Sequence, residues 1–336
     1  MVKLDEPYEE LKNQGIEALS QAAPSPDKYD EAIKAFQPVR EIATKKKKEE
    51  EERNAKDGPQ WKAALAALQD PVTLIFLNNA KARKNAKENG SPLYTIATAA
   101  PLKQEEGKQI LLGVAQVQDK VVAKHNSLNL AVVIANDRNI PDQAKSVAEA
   151  LVKNQDILGV VGHYTSPNTC AALPVYNENK RVVISPRSTV ADLRTRCGGD
   201  SNKVFFRRTS TTQVEAETLI NHLVNVTKDA NPQPKVAVFF TRGEMFSDDL
   251  SNQLRQIMKG KGTIIAEIDL AQDFEVKQKV QQELLNNSKA TSDAIEGKPI
   301  SFHPNGDRKE ITTLDLAIVC KEGDRYKFFL LKSNRC

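Results

Sequence analysis

Between residues 94 and 285, short apolar runs alternate with longer amphipathic segments. That rhythm admits one class of architecture, parallel sheets with helices on both faces. The run 128–135, LNLAVVIA, is nearly continuous apolar, as a strand covered on both faces must be. Strands are predicted at 94–99, 128–135, 157–161, 181–184 and 204–206, with helices at 104–124, 141–153 and 168–177 between them. After Thr209 a second set begins: helix 212–227, strand 236–240, helix 248–259, strand 263–268 and helix 274–285. Two such sets in tandem predict two α/β lobes, and ligands of such sheets bind at the carboxyl ends of the strands.

Residues 1–90 are of a different kind, strand-poor and helix-rich. Leu11, Ile16 and Leu19 repeat at helical spacing, as do Tyr29, Ala32, Ile33 and Phe36 beyond the break at Pro24-Ser25-Pro26-Asp27. The small Ala32 lets two helices approach closely. The pair resembles a tetratricopeptide helical hairpin with a longer turn than that repeat has. The charge block Lys45 to Glu52 reads as a solvated helix extension or linker. Trp61 to Leu68 and Leu74 to Ala80 make a further pair, with Asp70-Pro71 as N-cap and first-turn proline of its second helix. The expected organisation is a helical region 1–90, lobe 1 over 91–209, a partial lobe 2 over 210–290 and a C-terminal β segment 291–336.

Composition narrows the function classes. The 48 Lys and Arg are interspersed with 44 Asp and Glu, so no basic face suited to nucleic acid emerges. No run approaches the ~18 apolar residues of a membrane span. The first residues, Met1 to Pro7, contain no apolar signal core, so the chain reads as cytoplasmic or as having lost its export signal. Four cysteines without CxxC spacing and four scattered histidines form no metal pattern. Dinucleotide, phosphate-loop, nucleophile-elbow and zinc-protease motifs are absent. Gly159-Val160-Val161-Gly162 is too short for a dinucleotide fingerprint. No nucleophile has a base beside it, so no enzyme is expected and no cofactor is implied.

The positive signal lies in two strand-end loops. Gly162-His163-Tyr164-Thr165-Ser166-Pro167-Asn168-Thr169 leaves a buried strand and enters a helix. It offers hydroxyls and a helix N-terminus with its partial positive charge, chemistry suited to a carboxylate. The next strand ends in Ile184-Ser185-Pro186-Arg187-Ser188-Thr189, a second hydroxyl-rich loop at the same sheet edge. Two N-caps and a proline turn would account for the same residues, so both readings stand at this point.

Those loops, with Ile96 to Leu102, Gly107, Ile110 to Ala115, Asn136-Asp137, Pro141, Pro174-Val175-Tyr176 and Phe206-Arg207-Arg208, resemble a known family in order and spacing. It is the type I solute-binding proteins of bacterial transporters, which include the branched-chain amino-acid (Leu/Ile/Val) binding proteins and their receptor-like relatives. The resemblance spans roughly 94–285, and 297–308 resembles the family's hinge-proximal hairpin. It implies two Rossmann-like lobes that close over an amino-acid-like solute without catalysing a reaction. A transporter permease would be the partner and the periplasm the location. Carried over by residue, Ser166 matches the hydroxyl that holds the ligand α-carboxylate with nearby backbone amides, with Tyr164 and Thr165 beside it in the ligand site. Ser188 and Thr189 match the second loop, which binds α-carboxylate and α-amino groups. Phe246 stands where the family has a cleft-closing tyrosine. Cys170 and Cys197 flank the two loops, either as a disulfide suited to the periplasm or as two unpaired thiols.

The sequence also departs from the family. Between residues 285 and 294 roughly a hundred family residues have no counterpart, so the second lobe is expected to be incomplete, with exposed sheet edges. The acidic partner of a ligand amine falls in that gap. A second reading follows, a receptor-like sensor or interaction module whose binding fold is degenerate and whose helical N-terminus docks a protein partner.

Overall fold

The computed structural model describes residues 7–20, 26–55, 58–123, 128–227, 233–271, 317–322 and 325–330. The chain divides into two compact units, Met1–Ser188 with Arg194–Arg208, and Thr189–Leu193 with Thr209–Cys336.

The first unit opens with helices α1 (Pro7–Ser20), α2 (Pro26–Glu52), α3 (Pro59–Leu68) and α4 (Pro71–Glu88). Ala18, Ala32, Phe36, Leu77 and Ala80 form one apolar cluster among α1, α2 and α4. Gly15 is required there, because a Cβ would stand 2.6 Å from the Phe36 ring. The charge block is helical and closes α2. Lys45–Glu49, Lys47–Glu51 and Lys48–Glu52 pair one turn apart, each contributing about 0.3–0.5 kcal/mol. Asp70 caps α4 by accepting from the Val72 N–H at 3.1 Å, and Pro71 occupies the first turn. The same carboxylate also takes Thr73 Oγ1 and Lys12 Nζ, both at 2.6 Å.

Sheet and helix then alternate: β1 (Leu93–Ala100), α5 (Glu105–Ala123), β2 (Asn129–Asn136), α6 (Pro141–Lys153), β3 (Ile157–Val161), α7 (Ser166–Glu178), β4 (Val182–Ser185), α8 (Leu193–Arg196) and β5 (Phe205–Arg207). The five strands are parallel in the order β2-β1-β3-β4-β5, so their carboxyl ends share one edge.

The change of pattern at residues 89–92 marks a change of secondary structure inside this unit. Leu74 and Ile75 of α4 pack with Leu111 and Ala115 of α5 and Val132 of β2. Asn79, one turn beyond Ile75, accepts from the Val132 N–H at 2.7 Å and donates to the Val132 carbonyl at 2.9 Å. Gln118 donates to the same Asn79 oxygen at 2.8 Å. β2 is the outer strand of the sheet, so Asn79 fills the place a further strand would take at that residue.

The second unit, described by itself, contains α9 (Thr212–Thr227), β6 (Lys235–Phe240), α10 (Met245–Met258) and β7 (Thr263–Asp269). β6 and β7 pair in parallel, and Ile220, Leu223, Val236, Val238 and Met258 form the core between helices and strands. An antiparallel pair, β8 (Ala317–Glu322) and β9 (Arg325–Leu330), completes the described strands. The helix predicted at 274–285 and the hairpin resemblance at 297–308 lie outside the described residues. The four-residue α8 is an element that periodicity could not reveal, since it is about one turn long.

Candidate functional site

The carboxyl edge of the first sheet is organised from beneath by a buried polar chain. Asp137 follows β2, His163 follows β3 and Tyr176 lies on α7, and none of the three reaches solvent. His163 Nδ1 stands 2.7 Å from Asp137 Oδ2, and Nε2 stands 3.1 Å from the Tyr176 hydroxyl. Burial pushes the Asp137 carboxyl up, but hydrogen bonds from His163 and from the Asn139 N–H outweigh it and hold the group below the usual carboxylate range. Burial first, and the Asp137 charge second, push the Tyr176 phenol well above its ordinary value. A neutral imidazole satisfies both partners, donating from Nδ1 to the carboxylate and accepting at Nε2 from the phenol.

His163 fixes the loop above it through its own backbone. Its carbonyl lies 2.8 Å from Ser185 Oγ and 3.5 Å from Thr169 Oγ1. The peptide bond Gly162–His163 is cis, and a Cβ at Gly162 would stand 2.3 Å from the Ala99 carbonyl. Glycine is the residue that fits there.

Two loops rise from this base. Tyr164, Thr165 and Ser166 lead from β3 into α7. The Thr165 side chain caps no amide of α7, because its hydroxyl donates to Asn139 Oδ1 at 2.8 Å. The first turn of a 13-residue helix therefore has no side-chain cap where it leaves the strand. Ser166 is buried, while Tyr164 and Thr165 are half-buried. From β4 come Ser185, Arg187 and Ser188. Ser188 Oγ lies 2.7 Å from Thr169 Oγ1 and 2.8 Å from Ser185 Oγ, fully buried. Ser188 thus braces the two loops against each other from inside the unit. The Arg187 guanidinium carbon lies over the Tyr164 ring, 5.4 Å from its centroid, a cation–π contact that joins the two loops. Burial raises the Tyr164 hydroxyl, against the lowering field of Arg187.

Cys170 of α7 and Cys197, just beyond α8, are joined as a disulfide with their Cα atoms 4.9 Å apart. The bond ties the helix that begins at the first loop to the chain that continues from the second.

The structure therefore gathers Tyr164, Thr165, Ser166 and Ser188 on one sheet edge. Thr189 and Phe246 fall in the second unit. The Thr189 carbonyl accepts from the Thr212 N–H at 2.8 Å, and the Ala191 N–H donates to buried Asp249 at 2.9 Å. Thr212 Oγ1 donates to the same Asp249 carboxylate. Phe246 is 38% exposed in the first turn of α10, whose N-terminus is capped by Glu244 through the Ser247 N–H at 2.7 Å. The N-cap Glu244 thus closes the first turn of α10 with its side chain, where the N-cap Thr165 makes no such bond to α7.

Periodicity found neither the Asp137–His163–Tyr176 chain nor the Thr212–Asp249 pair. Their only sequence signals are an acidic residue at one strand end and a histidine at another, 26 positions apart.

The comparisons agree with the parallel-sheet fold. A family model described as "Periplasmic binding protein" matches residues 106–276, just over half of the chain and inclusive of both loops. An amino acid binding protein of Pseudomonas aeruginosa is 31% identical over 156 residues, which are 45% of this chain and 40% of that one. An ABC transporter substrate-binding protein of Desulfitobacterium hafniense shares the fold with a TM-score of 0.50 at 17% identity, over 59% of this chain and 56% of that one. The chain thus spans about half the length, or less, of the relatives it matches. On the family match and the parallel-sheet fold together, the chain belongs to the periplasmic binding protein family.

Proposed function

We propose that this chain binds a small amino-acid-like solute by its carboxylate and performs no chemistry on it, as the substrate-binding component of an ABC-type amino-acid transporter. The observation that carries the reading is the N-terminus of α7 where it leaves β3 beside Tyr164, Thr165 and Ser166, with no cap bond from the Thr165 side chain and braced by Ser188. The helix dipole and the hydroxyls at that N-terminus favour an anion there. Thr189 and Phe246 are the contributions proposed for the second unit.

The buried chain supports binding over catalysis. Both ring nitrogens of His163 are occupied by Asp137 and Tyr176, so the imidazole nearest the serine cluster is no base for it. The similar protein of Pseudomonas aeruginosa is an amino acid binding protein, which supports the solute class. The Cys170–Cys197 disulfide suits an oxidising compartment and supports a periplasmic address. The competing role for helices α1–α4, docking of a protein partner, is less well supported. The engagement of α4 with α5 and β2 gives these helices a task inside the fold.

A thermal-shift screen of the amino acids tests the proposal. A solute at 100 times its Kd stabilises the folded chain by about 2.7 kcal/mol, readable as a rise in Tm. Flat melting curves with every amino acid would remove the reading.

A further inference from the structure

We infer that Arg187 makes this site selective for a solute with a second carboxylate, an acidic amino acid or a dicarboxylate of similar length. The inference rests on the solute-binding reading above and names the class of ligand for the same loops.

Arg187 is held at its backbone and over an aromatic ring. Its backbone N–H donates to Ser185 Oγ at 3.3 Å, so the residue departs from the buried hydroxyl cluster in a fixed direction. Its guanidinium then lies on the Tyr164 ring, 5.4 Å from the centroid. A cation–π contact of this kind consumes none of the five N–H donors. Two neighbouring arginines are engaged within the fold. Arg194 pairs with Asp200 at 3.1 Å and donates to the Phe205 carbonyl, and Arg207 donates to the Ser188 carbonyl at 3.1 Å. Among the described residues, no carboxylate stands within ion-pair distance of Arg187; the Tyr164 ring is its side-chain contact. A half-buried guanidinium with open donors, oriented by an aromatic ring, is arranged for a planar anion that comes from outside.

The surrounding charge agrees. The Asp137 carboxylate at this edge is consumed by His163 beneath the surface. Glu106, whose field reaches Tyr164, is exposed on the first turn of α5, where water and salt screen it. A solute with one carboxylate at the first turn of α7 would leave Arg187 unpaired; a second carboxylate fills its fork. A neutral side chain leaves the donors desolvated without a partner, which disfavours leucine-like ligands here.

Isothermal titration of the full chain with glutamate, aspartate, glutarate, glutamine and leucine tests this on the unaltered protein. The expected order places a dicarboxylate at least about 10-fold tighter than its neutral counterpart, the effect of one charge-assisted pair. In Arg187→Gln that advantage disappears, and Arg187→Lys, which keeps the charge but lacks the fork, recovers part of it. Unliganded melting curves for both variants show whether they fold. If glutamine or leucine binds as tightly as glutamate, the inference about Arg187 is overturned while solute binding stands. If no carboxylated solute binds at all, the solute-binding reading falls and takes this inference with it.

Discussion

Asn79 on α4 and Val132 on β2 exchange two hydrogen bonds, side chain to backbone, at 2.7 and 2.9 Å across a sheet edge. A helix from the N-terminal region thereby completes the outer strand of the binding fold. Replacing Asn79 with leucine leaves the Val132 N–H and carbonyl and the Gln118 amide without this partner. We expect a loss of about 2–3 kcal/mol in urea unfolding, the cost of stranded buried polar groups. Hydrogen exchange at the Val132 amide should accelerate in the variant beyond the change at other β2 amides.

The Asp137–His163 pair predicts a specific response to acid. The folded-state pKa of Asp137 lies below its unfolded value, so its stabilisation is fully present above that unfolded value, near ~3.9, and is lost as pH falls through the folded pKa. Asp137→Asn should cost about 1–3 kcal/mol at neutral pH by weakening a charge-assisted buried bond. The difference between wild type and variant should shrink as pH falls below about 4, read from urea midpoints at successive pH values. A difference that grows on acidification would contradict the assignment.

The Cys170–Cys197 bond closes a loop over a sequence separation of 27. The double variant with serine at both positions should lose about 3–4 kcal/mol, and a mild reductant should lower the wild-type Tm toward it. Since the bond anchors α7, solute affinity should fall along with stability when it is removed.

In the second unit, Thr212 Oγ1 and the Ala191 N–H converge on buried Asp249. Thr212→Val keeps the shape and removes the hydroxyl, which should destabilise the chain by about 1–2 kcal/mol. Asp249→Leu removes the charged acceptor that both donors share and should cost more. Denaturant unfolding of the two variants ranks them.

The architecture was legible because alternation is a local signal. The run 128–135, the prolines at 71 and 141 and the hydroxyl loops after β3 and β4 all stand in the sequence where the structure uses them. The supports of the site were not legible, because they join residues far apart in the chain. Asn79 sits on the apolar side of α4, a polar residue out of pattern whose partner is 53 positions away. His163 stands inside the loop that sequence reasoning picked out, yet its role depends on Asp137 and Tyr176, which only the fold brings to its two nitrogens. Ser188 reads as a ligand hydroxyl from its loop, and the structure turns it inward to Thr169 and Ser185.

The central claim is that a carboxylate is what the N-terminus of α7 holds. The direct measurement is a paired titration, by calorimetry, of the amino acid that most raises the Tm and of the amine that lacks only its α-carboxylate. We predict a saturable single-site isotherm for the amino acid, none for the amine, and weaker binding in Ser166→Ala. Equal affinity for the two compounds would contradict the account.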